Sequence, residues 1–150
     1  MSAPLNRDAA LGYMPITVRL EHLDPRLFSL TQTIQAFTMP TDTRTINNAG
    51  NAEAPWSISI AGPATNPIIT NNTTGQVISF DSLVLNGTQV LVVDSATSST
   101  KINGEAVDIY LSTGFSWWDL PPGNTSITVS ATTATTASCT LTTRSAYWMV

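Results

Sequence analysis

Apolar and polar residues alternate along much of the chain, and this alternation predicts short β-strands with one buried face. Such alternation, or a short continuous apolar run, occurs at residues 56–60, 77–80, 83–85, 90–93, 100–102, 106–110, 127–129, 139–144 and 147–148. Turn residues, mainly Gly, Pro and Asn, separate these runs about every 8–12 residues. We therefore predict about eight to ten strands in an antiparallel β-sandwich or jelly roll.

Two Asn-Gly pairs add specific hairpin predictions. Asn86-Gly87 and Asn103-Gly104 each lie between two of the apolar runs. Asn-Gly favours the type I′ turn, because both central residues of that turn need a positive φ. Each pair is therefore predicted to join two adjacent antiparallel strands.

The distribution of basic residues predicts a division of the chain near residue 44. Four of the five arginines and the single histidine lie at or before this point. We predict an N-terminal extension or hairpin arm over residues 1–43 and a β-sandwich domain over residues 44–150.

The extension contains the pattern of a β-hairpin. Residues 16–20 and 27–37 alternate around a turn at Asp24-Pro25. Because an isolated two-stranded hairpin is only marginally stable, we expect it to lie against the sandwich or another chain. We also expect a chain without residues 1–43 to fold but not to assemble.

Composition and charge exclude several classes of partner. Charged residues are 11% of the chain, while Thr, Ser and Asn number 24, 15 and 10. The formal net charge is −4, and the one lysine and five arginines do not cluster, so we exclude nucleic-acid binding. No apolar run approaches the roughly 20 residues of a membrane-spanning helix, so we expect no membrane insertion.

No residue pattern indicates catalysis, and we predict a protein that is not an enzyme. A Ser-His-Asp arrangement would have to use His22, which lies next to the predicted turn. Cys139 alternates with Leu141 on one strand face, which predicts a small buried side chain. We predict no catalytic residue, no cofactor and no metal site. The alternative to this prediction is a Ca²⁺ ion bound at a loop. The aspartates that could bind it are scattered singly along the sequence, at Asp81, Asp94, Asp108 and Asp119.

Tryptophan supplies the candidate binding residues. Trp117 and Trp118 are adjacent, so on a strand one would face the core and the other the surface. An exposed Trp can anchor a protein–protein interface, where Trp is enriched, or stack on a sugar ring. Trp117 and Trp118 are therefore the candidate contacts for a glycan or a partner subunit.

A series of short segments occurs in a characteristic order from about residue 14 to residue 149. The series comprises residues 16–20, Asp24-Pro25-Arg26, residues 43–55, 60–62, 67–69 and 71–75, Asp94, Asn103-Gly104, residues 120–124 and Tyr147-Trp148. Their order and spacing resemble the distal tail protein family of long-tailed bacteriophages, whose members are also described as minor tail proteins or tail components.

The resemblance implies a fold and a domain correspondence. It implies a galectin-like or carbohydrate-module-like β-sandwich for residues 44–150, preceded by the hairpin extension. It also implies that residues 14–43 correspond to the end of the family's N-terminal ring-forming domain, most of which is missing here. The family has no catalytic residues to transfer.

Two functional hypotheses follow from the resemblance and the composition. The first is a non-enzymatic virion structural protein of the tail tip or baseplate, made in the host bacterial cytoplasm. It would form a homo-oligomer and pack against tail tube, tape measure or hub proteins. The alternative is a carbohydrate-binding module on the tail that contacts host cell-wall glycans through Trp117 or Trp118.

Overall fold

The computed structural model describes residues 24–107 and 111–149, and over these ranges the chain forms β-strands and no helix. The strands are β1 (Arg26–Phe28), β2 (Thr33–Thr38), β3 (Thr41–Asn48), β4 (Trp56–Ala61), β5 (Ala64–Thr65), β6 (Ile68–Asn71), β7 (Val77–Ser79), β8 (Val84–Leu85), β9 (Val90–Asp94), β10 (Ser99–Ile102), β11 (Glu105–Ala106), β12 (Gly123–Ser130), β13 (Thr133–Ala134), β14 (Ser138–Thr143) and β15 (Ala146–Trp148).

Two antiparallel sheets form the sandwich. The six-stranded sheet has the order β11-β10-β9-β4-β14-β2, and the four-stranded sheet has the order β3-β12-β6-β7. A short three-stranded sheet, β13-β5-β8, and a two-stranded ribbon, β1-β15, complete the described structure. The prediction of an all-β antiparallel sandwich is therefore confirmed.

The core lies between the inner faces of the two large sheets. On β4, Trp56, Ile58 and Ile60 are buried, while the residues between them are partly exposed. Ile127 and Val129 on β12 face them from the other sheet and are fully buried. Burying one such aliphatic side chain contributes about 1.5–3 kcal/mol, so the alternation in sequence directly selects the inner face.

Cys139 belongs to this core, as its alternation with Leu141 predicts. Both side chains are at most 1% exposed. Burial raises the pKa of the Cys139 thiol from its ordinary value of 9.0 to about 12, with a smaller contribution from the charge of Asp42. The side chain therefore remains a neutral thiol and packs as a small apolar group.

The predicted boundary between residues 43 and 44 falls inside β3. β2 is an edge strand of the six-stranded sheet, and β3 is an edge strand of the four-stranded sheet. Phe37 on β2 is 5% exposed and belongs to the core. Residues 33–43 thus contribute strands to both sheets. Whether a chain without residues 1–43 folds stays a prediction, and we expect the loss of these strands to destabilise it.

The single strand predicted over residues 27–37 is wrong. The chain forms two strands there, because it leaves the ribbon after Phe28 and joins the six-stranded sheet at Thr33. Leu30, between them, is 95% exposed. The alternation of apolar and polar residues cannot show where the chain leaves one sheet and joins another. The predicted partner strand, residues 16–20, lies outside the described residues.

The two Asn-Gly predictions have opposite outcomes. Asn103-Gly104 joins β10 to β11 with φ values of 50° and 93°, so this hairpin is confirmed. The hairpin at Asn86-Gly87 is wrong, because β8 pairs with β5 whereas β9 pairs with β4 and β10. Asn86 Oδ1 instead accepts hydrogen bonds from the N–H and hydroxyl of Thr88, at 3.0 and 2.9 Å. This local turn lets the chain cross between sheets.

Candidate functional site

Exposed apolar side chains concentrate on the ribbon and on the residues next to it. Among the described residues, six of the exposed large apolar side chains lie there, and we call them the terminal surface: Leu27, Phe28, Leu30, Tyr147, Trp148 and Met149. Their exposed fractions range from 37% for Tyr147 to 95% for Leu30. An apolar cluster of this kind marks an interaction site more often than scattered exposed residues do.

The ribbon exposes apolar side chains on both of its faces. Leu27 lies directly opposite Tyr147, and Arg26 lies opposite Trp148. Successive residues of a strand point to opposite faces, so Leu27 and Tyr147 share one face while Phe28 and Trp148 lie on the other. A two-stranded ribbon exposed in this way has no core of its own and depends on what it packs against.

Arg26 ties the ribbon to the sandwich. Its Nη1 donates to the carbonyl O of Glu53 at 2.8 Å and to Asp119 Oδ2 at 3.3 Å. Its Nη2 donates to Asp24 Oδ2 at 2.8 Å, and the hydrogen bond with Asp24 is the main reason that the pKa of Arg26 is raised. The guanidinium also lies 5.6 Å from the centre of the Phe28 ring.

The other strand of the ribbon is held by close backbone contacts. Ala52 N–H donates to the carbonyl O of Ala146 at 3.0 Å, and Trp148 N–H donates to Asn51 Oδ1 at 2.8 Å. A Cβ on Gly50 would lie 1.7 Å from the carbonyl O of Ala146, so only glycine fits. The terminal surface is therefore presented on a fixed ribbon.

Trp117 and Trp118 do not lie on a strand, although one is buried and the other partly exposed. Trp118 is 6% exposed, and its ring lies 4.5 Å from that of Trp56 at an interplanar angle of 38°. Trp56 Nε1 donates to the carbonyl O of Trp118 at 2.9 Å. Trp118 is thus a core residue. Trp117 is half-buried, and the Phe115 ring meets it edge-on at 6.1 Å.

The exposed tryptophan of the terminal surface, Trp148, was not singled out from the sequence. The alternation at residues 147–148 predicted a strand there, and β15 confirms it. The alternation indicates that the strand has two different faces. It does not indicate whether another sheet packs over either of them. Only the position of the ribbon outside the two large sheets reveals that Trp148 is 49% exposed.

Trp117 and Trp118 nevertheless line one cleft. We call it the tryptophan cleft; it has a volume of about 290 Å³ and is lined by Glu53, Ser95, Ser98, Trp117, Trp118 and Asp119. Ser95 Oγ donates a hydrogen bond to Asp119 Oδ1 at 2.7 Å and accepts one from the backbone N–H of Trp56 at 2.9 Å. Among the described residues, the buried Trp118 Nε1 has no hydrogen-bond partner.

Neither a metal centre nor a membrane span stands out in the described structure. Across residues 24–107 and 111–149, no three or more His, Cys, Asp or Glu side chains form a group that could hold a metal ion. The same ranges contain no helix long and apolar enough to cross a membrane. His22 and Asp108 lie outside the described residues.

The sandwich and its apolar ribbon define an all-β module with a surface of the type that subunit interfaces use. Residues 49–147 match the family described as siphovirus-type tail component, C-terminal domain. Because the match spans well over half of the chain, the protein belongs to this family. The resemblance recognised in the sequence is thereby confirmed, and the protein is a phage tail component of the virion.

The fold is shared with a solved structure of a phage protein. It is the crystal structure of the SPP1 Dit protein (gp 19.1), described as a paradigm of the hub adsorption apparatus in phages that infect Gram-positive bacteria. The TM-score is 0.64 at 18% sequence identity, over 83% of this chain and 49% of that one. The chain thus spans about half the length of that protein. Among curated proteins, none shows significant sequence similarity to this chain.

Proposed function

We propose that this protein is a non-enzymatic structural component of the tail tip or baseplate and acts by packing against neighbouring subunits. The observation that carries the proposal is the terminal surface, where apolar side chains are exposed on both faces of an anchored ribbon. Membership of the tail-component family supports the same role.

The energetics of association favour such a surface. Burying one large apolar side chain contributes about 1.5–3 kcal/mol, and Trp and Tyr are enriched among the residues that dominate interfaces. Trp148 and Tyr147 lie on one strand, and Arg26 holds the neighbouring strand to Glu53 and Asp119. A surface that is already ordered loses less conformational entropy on binding.

The proposed partners are other copies of this chain and the tail tube, tape measure or hub proteins. A homo-oligomer fits an exposed ribbon that a second copy or a neighbouring subunit covers. The SPP1 Dit protein is described as part of a hub adsorption apparatus, and the shared fold makes a hub-proximal position the natural location for this chain.

Substitutions on the terminal surface test this proposal. Leu27→Asp and Trp148→Asp would each place a charge on the ribbon, whereas Val84→Asp changes an exposed apolar residue on β8 and serves as the matched control. The variants are supplied in trans to phage lacking the wild-type copy, and incorporation into particles is quantified by antibody labelling in electron microscopy. We expect tail-tip labelling to fall at least about tenfold for the ribbon variants only. If both ribbon variants were incorporated into particles at the wild-type level, the proposal would be wrong.

A second candidate function is carbohydrate binding at the host surface. It is favoured by one specific feature, the tryptophan cleft, which is lined by Trp117 and Trp118 together with the polar residues Glu53, Ser95, Ser98 and Asp119. Concave sites that combine aromatic surface with a few polar groups are typical of small-molecule recognition. Binding of the purified protein to host cell-wall material would support this function, and its absence would remove it.

A further inference from the structure

We infer that the outer edge of β2 pairs with the same edge of a second copy of this chain, so that two six-stranded sheets join into one. β2 is the last strand of the six-stranded sheet, and in the described structure no strand lies beyond it. A free strand edge accepts a further strand through its backbone N–H and C=O groups. The proposed function concerns the terminal surface, so this inference adds a second and separate contact.

β2 lacks the features that protect other strand edges from association. Residues 32–38 contain no charge and no proline, and Ile34 is 64% exposed. On β3, by contrast, Asp42 and Arg44 form an ion pair. A later segment donates backbone hydrogen bonds to the edge of β7, and β11 is only two residues long and carries a glutamate. Charge, coverage and short length are the usual protections, so β2 is the open edge among those described in the two large sheets.

The hydrogen bonds at β2 show which of its backbone groups point away from β14. The carbonyl O of Ala36 accepts a hydrogen bond from Gln35 Nε2 at 3.1 Å. The N–H of Thr38 donates to Asp42 Oδ2 at 2.9 Å. Both groups are bonded to side chains and therefore face away from β14. Because the direction of the backbone groups reverses at each residue of a strand, those of Ile34 also point outward.

The outward groups define a self-complementary antiparallel register. With Gln35 of each copy at the two-fold axis, Ile34 of one copy lies opposite Ala36 of the other, and such a pair exchanges both of its backbone hydrogen bonds. Gln35 Nε2 then releases the carbonyl O of Ala36 to the second copy. A register centred on Ala36 would instead require the N–H of Thr38, which is already bonded to Asp42.

The side chains along β2 are compatible with this pairing. Ile34 and Ala36 lie on the outer face and would form apolar cross-strand pairs with the second copy. Residue 38 of one copy comes opposite residue 32 of the other, so the two Asp42 carboxylates do not face each other. On the inner face, Thr33 and Gln35 line a cavity of about 460 Å³ whose lining residues carry no charge. Like charges opposite each other would oppose pairing, and neither face of β2 presents them.

Sedimentation equilibrium of the full chain tests the inference. We expect a monomer–dimer equilibrium with a dissociation constant on the order of 10 µM. Ile34→Lys and Ala36→Pro should each weaken the dimer at least about tenfold, because the first places a charge on the edge and the second removes an outward N–H. The matched control is Val84→Lys, which changes a residue that is 65% exposed on β8 and should leave the dissociation constant unchanged.

Cysteine substitutions test the register itself. Gln35→Cys places two thiols across the two-fold axis, in a non-hydrogen-bonded pair with Cα atoms about 4.5 Å apart, which is within disulfide reach. Thr33→Cys is the control on the same face, because residue 33 would lie about 13 Å along the strand from its equivalent. Under mild oxidation, Gln35→Cys should give a covalent dimer and Thr33→Cys should not. Cys139 is present in both variants and is buried.

Three results would overturn the inference: a monomer up to about 200 µM, a dimer that neither edge variant weakens, or a dimer that Gln35→Cys does not cross-link. Amide hydrogen exchange would then show what else takes the edge. Slow exchange of Ile34 and Ala36 in a monomer would assign it to residues 16–20 of the same chain. Rapid exchange would leave it to a strand of a different tail protein.

The proposed function is tested separately. Leu27→Asp alters the terminal surface and should dimerise in solution like the wild type, while its incorporation into particles falls. Loss of the dimer in Ile34→Lys, with the ribbon unchanged, concerns only the edge of β2. Failure of one proposal is therefore distinguishable from failure of the other.

Discussion

The indole N–H of Trp56 donates a 2.9 Å hydrogen bond to the carbonyl O of Trp118, and the two rings lie 4.5 Å apart. This relationship ties β4 in the middle of the six-stranded sheet to the irregular segment before Leu120. It also distinguishes two adjacent tryptophans, because Trp118 is part of the core whereas Trp117 is only half-buried beside it.

Alanine substitution should therefore affect the adjacent tryptophans very differently. Trp118→Ala removes a buried ring and should lower the free energy of unfolding by about 3–5 kcal/mol. Trp117→Ala removes a half-buried ring and should cost less than about 2 kcal/mol. Urea unfolding followed by circular dichroism measures both. Equal losses for the two variants would contradict this assignment.

The close approach of residue 50 to β15 predicts a sharp difference between two glycines. Gly50→Ala places a Cβ against the carbonyl O of Ala146 and should destabilise the protein by at least about 2 kcal/mol. A Cβ on Gly87 meets nothing within 4 Å, so Gly87→Ala is the matched control and should change stability by less than about 0.5 kcal/mol. Thermal unfolding of both variants decides the matter, and an unaffected Gly50→Ala protein would be incompatible with the described ribbon.

Arg26 should control the order of the ribbon. Arg26→Ala removes hydrogen bonds to Asp24, Glu53 and Asp119 and should cost about 1–2 kcal/mol. We expect faster amide hydrogen exchange across β1 and β15 in particular. Arg44→Ala is the control, because Arg44 pairs with Asp42 on the exposed surface and should cost less than about 0.5 kcal/mol. Unchanged exchange in Arg26→Ala would show that the ribbon does not depend on this residue.

The buried thiol predicts a pH dependence with a definite sign. The pKa of Cys139 is raised in the folded state from 9.0 to about 12, so the folded protein holds this proton more tightly than the unfolded chain does. The contribution of the protonated thiol to the free energy of unfolding is therefore fully present below pH 9. It is lost as the pH rises from about 9 to about 12. Unfolding free energies of wild type and Cys139→Ala should therefore converge over this window.

Thiol reactivity gives an independent check on Cys139. In the folded protein it should not react with a thiol reagent at pH 8, and it should react once the chain is unfolded in urea. Rapid reaction of the folded protein would contradict the burial of this side chain.

Truncation should distinguish residues before the ribbon from residues within the sandwich. A chain that starts at residue 44 lacks β1, β2 and part of β3, and it loses the buried ring of Phe37. We expect it to be destabilised by at least about 3 kcal/mol or to fail to fold. A chain that starts at residue 24 keeps every described strand and serves as the comparison. Equal stability of the two truncated chains would contradict the edge-strand role of residues 33–43.

Local sequence determined much of the β-structure. The alternation over β4 and β14 selects their inner faces, because each strand buries one face and exposes the other. Asn103-Gly104 forms the predicted turn, since its two positive φ values are a property of those two residues. Cys139 is buried for the same local reason, through its place in the alternation of β14.

Tertiary structure decided the features that depend on residues far apart in the chain. Asn86-Gly87 has the same local signal as Asn103-Gly104, but its flanking strands pair elsewhere in other sheets. The ribbon brings Leu27 opposite Tyr147, and the tryptophan cleft brings Glu53 to Trp117. Periodicity reports which face of a strand is apolar. Whether a second layer covers that face depends on long-range packing, and so the exposed ribbon and the cleft became visible only in the folded protein.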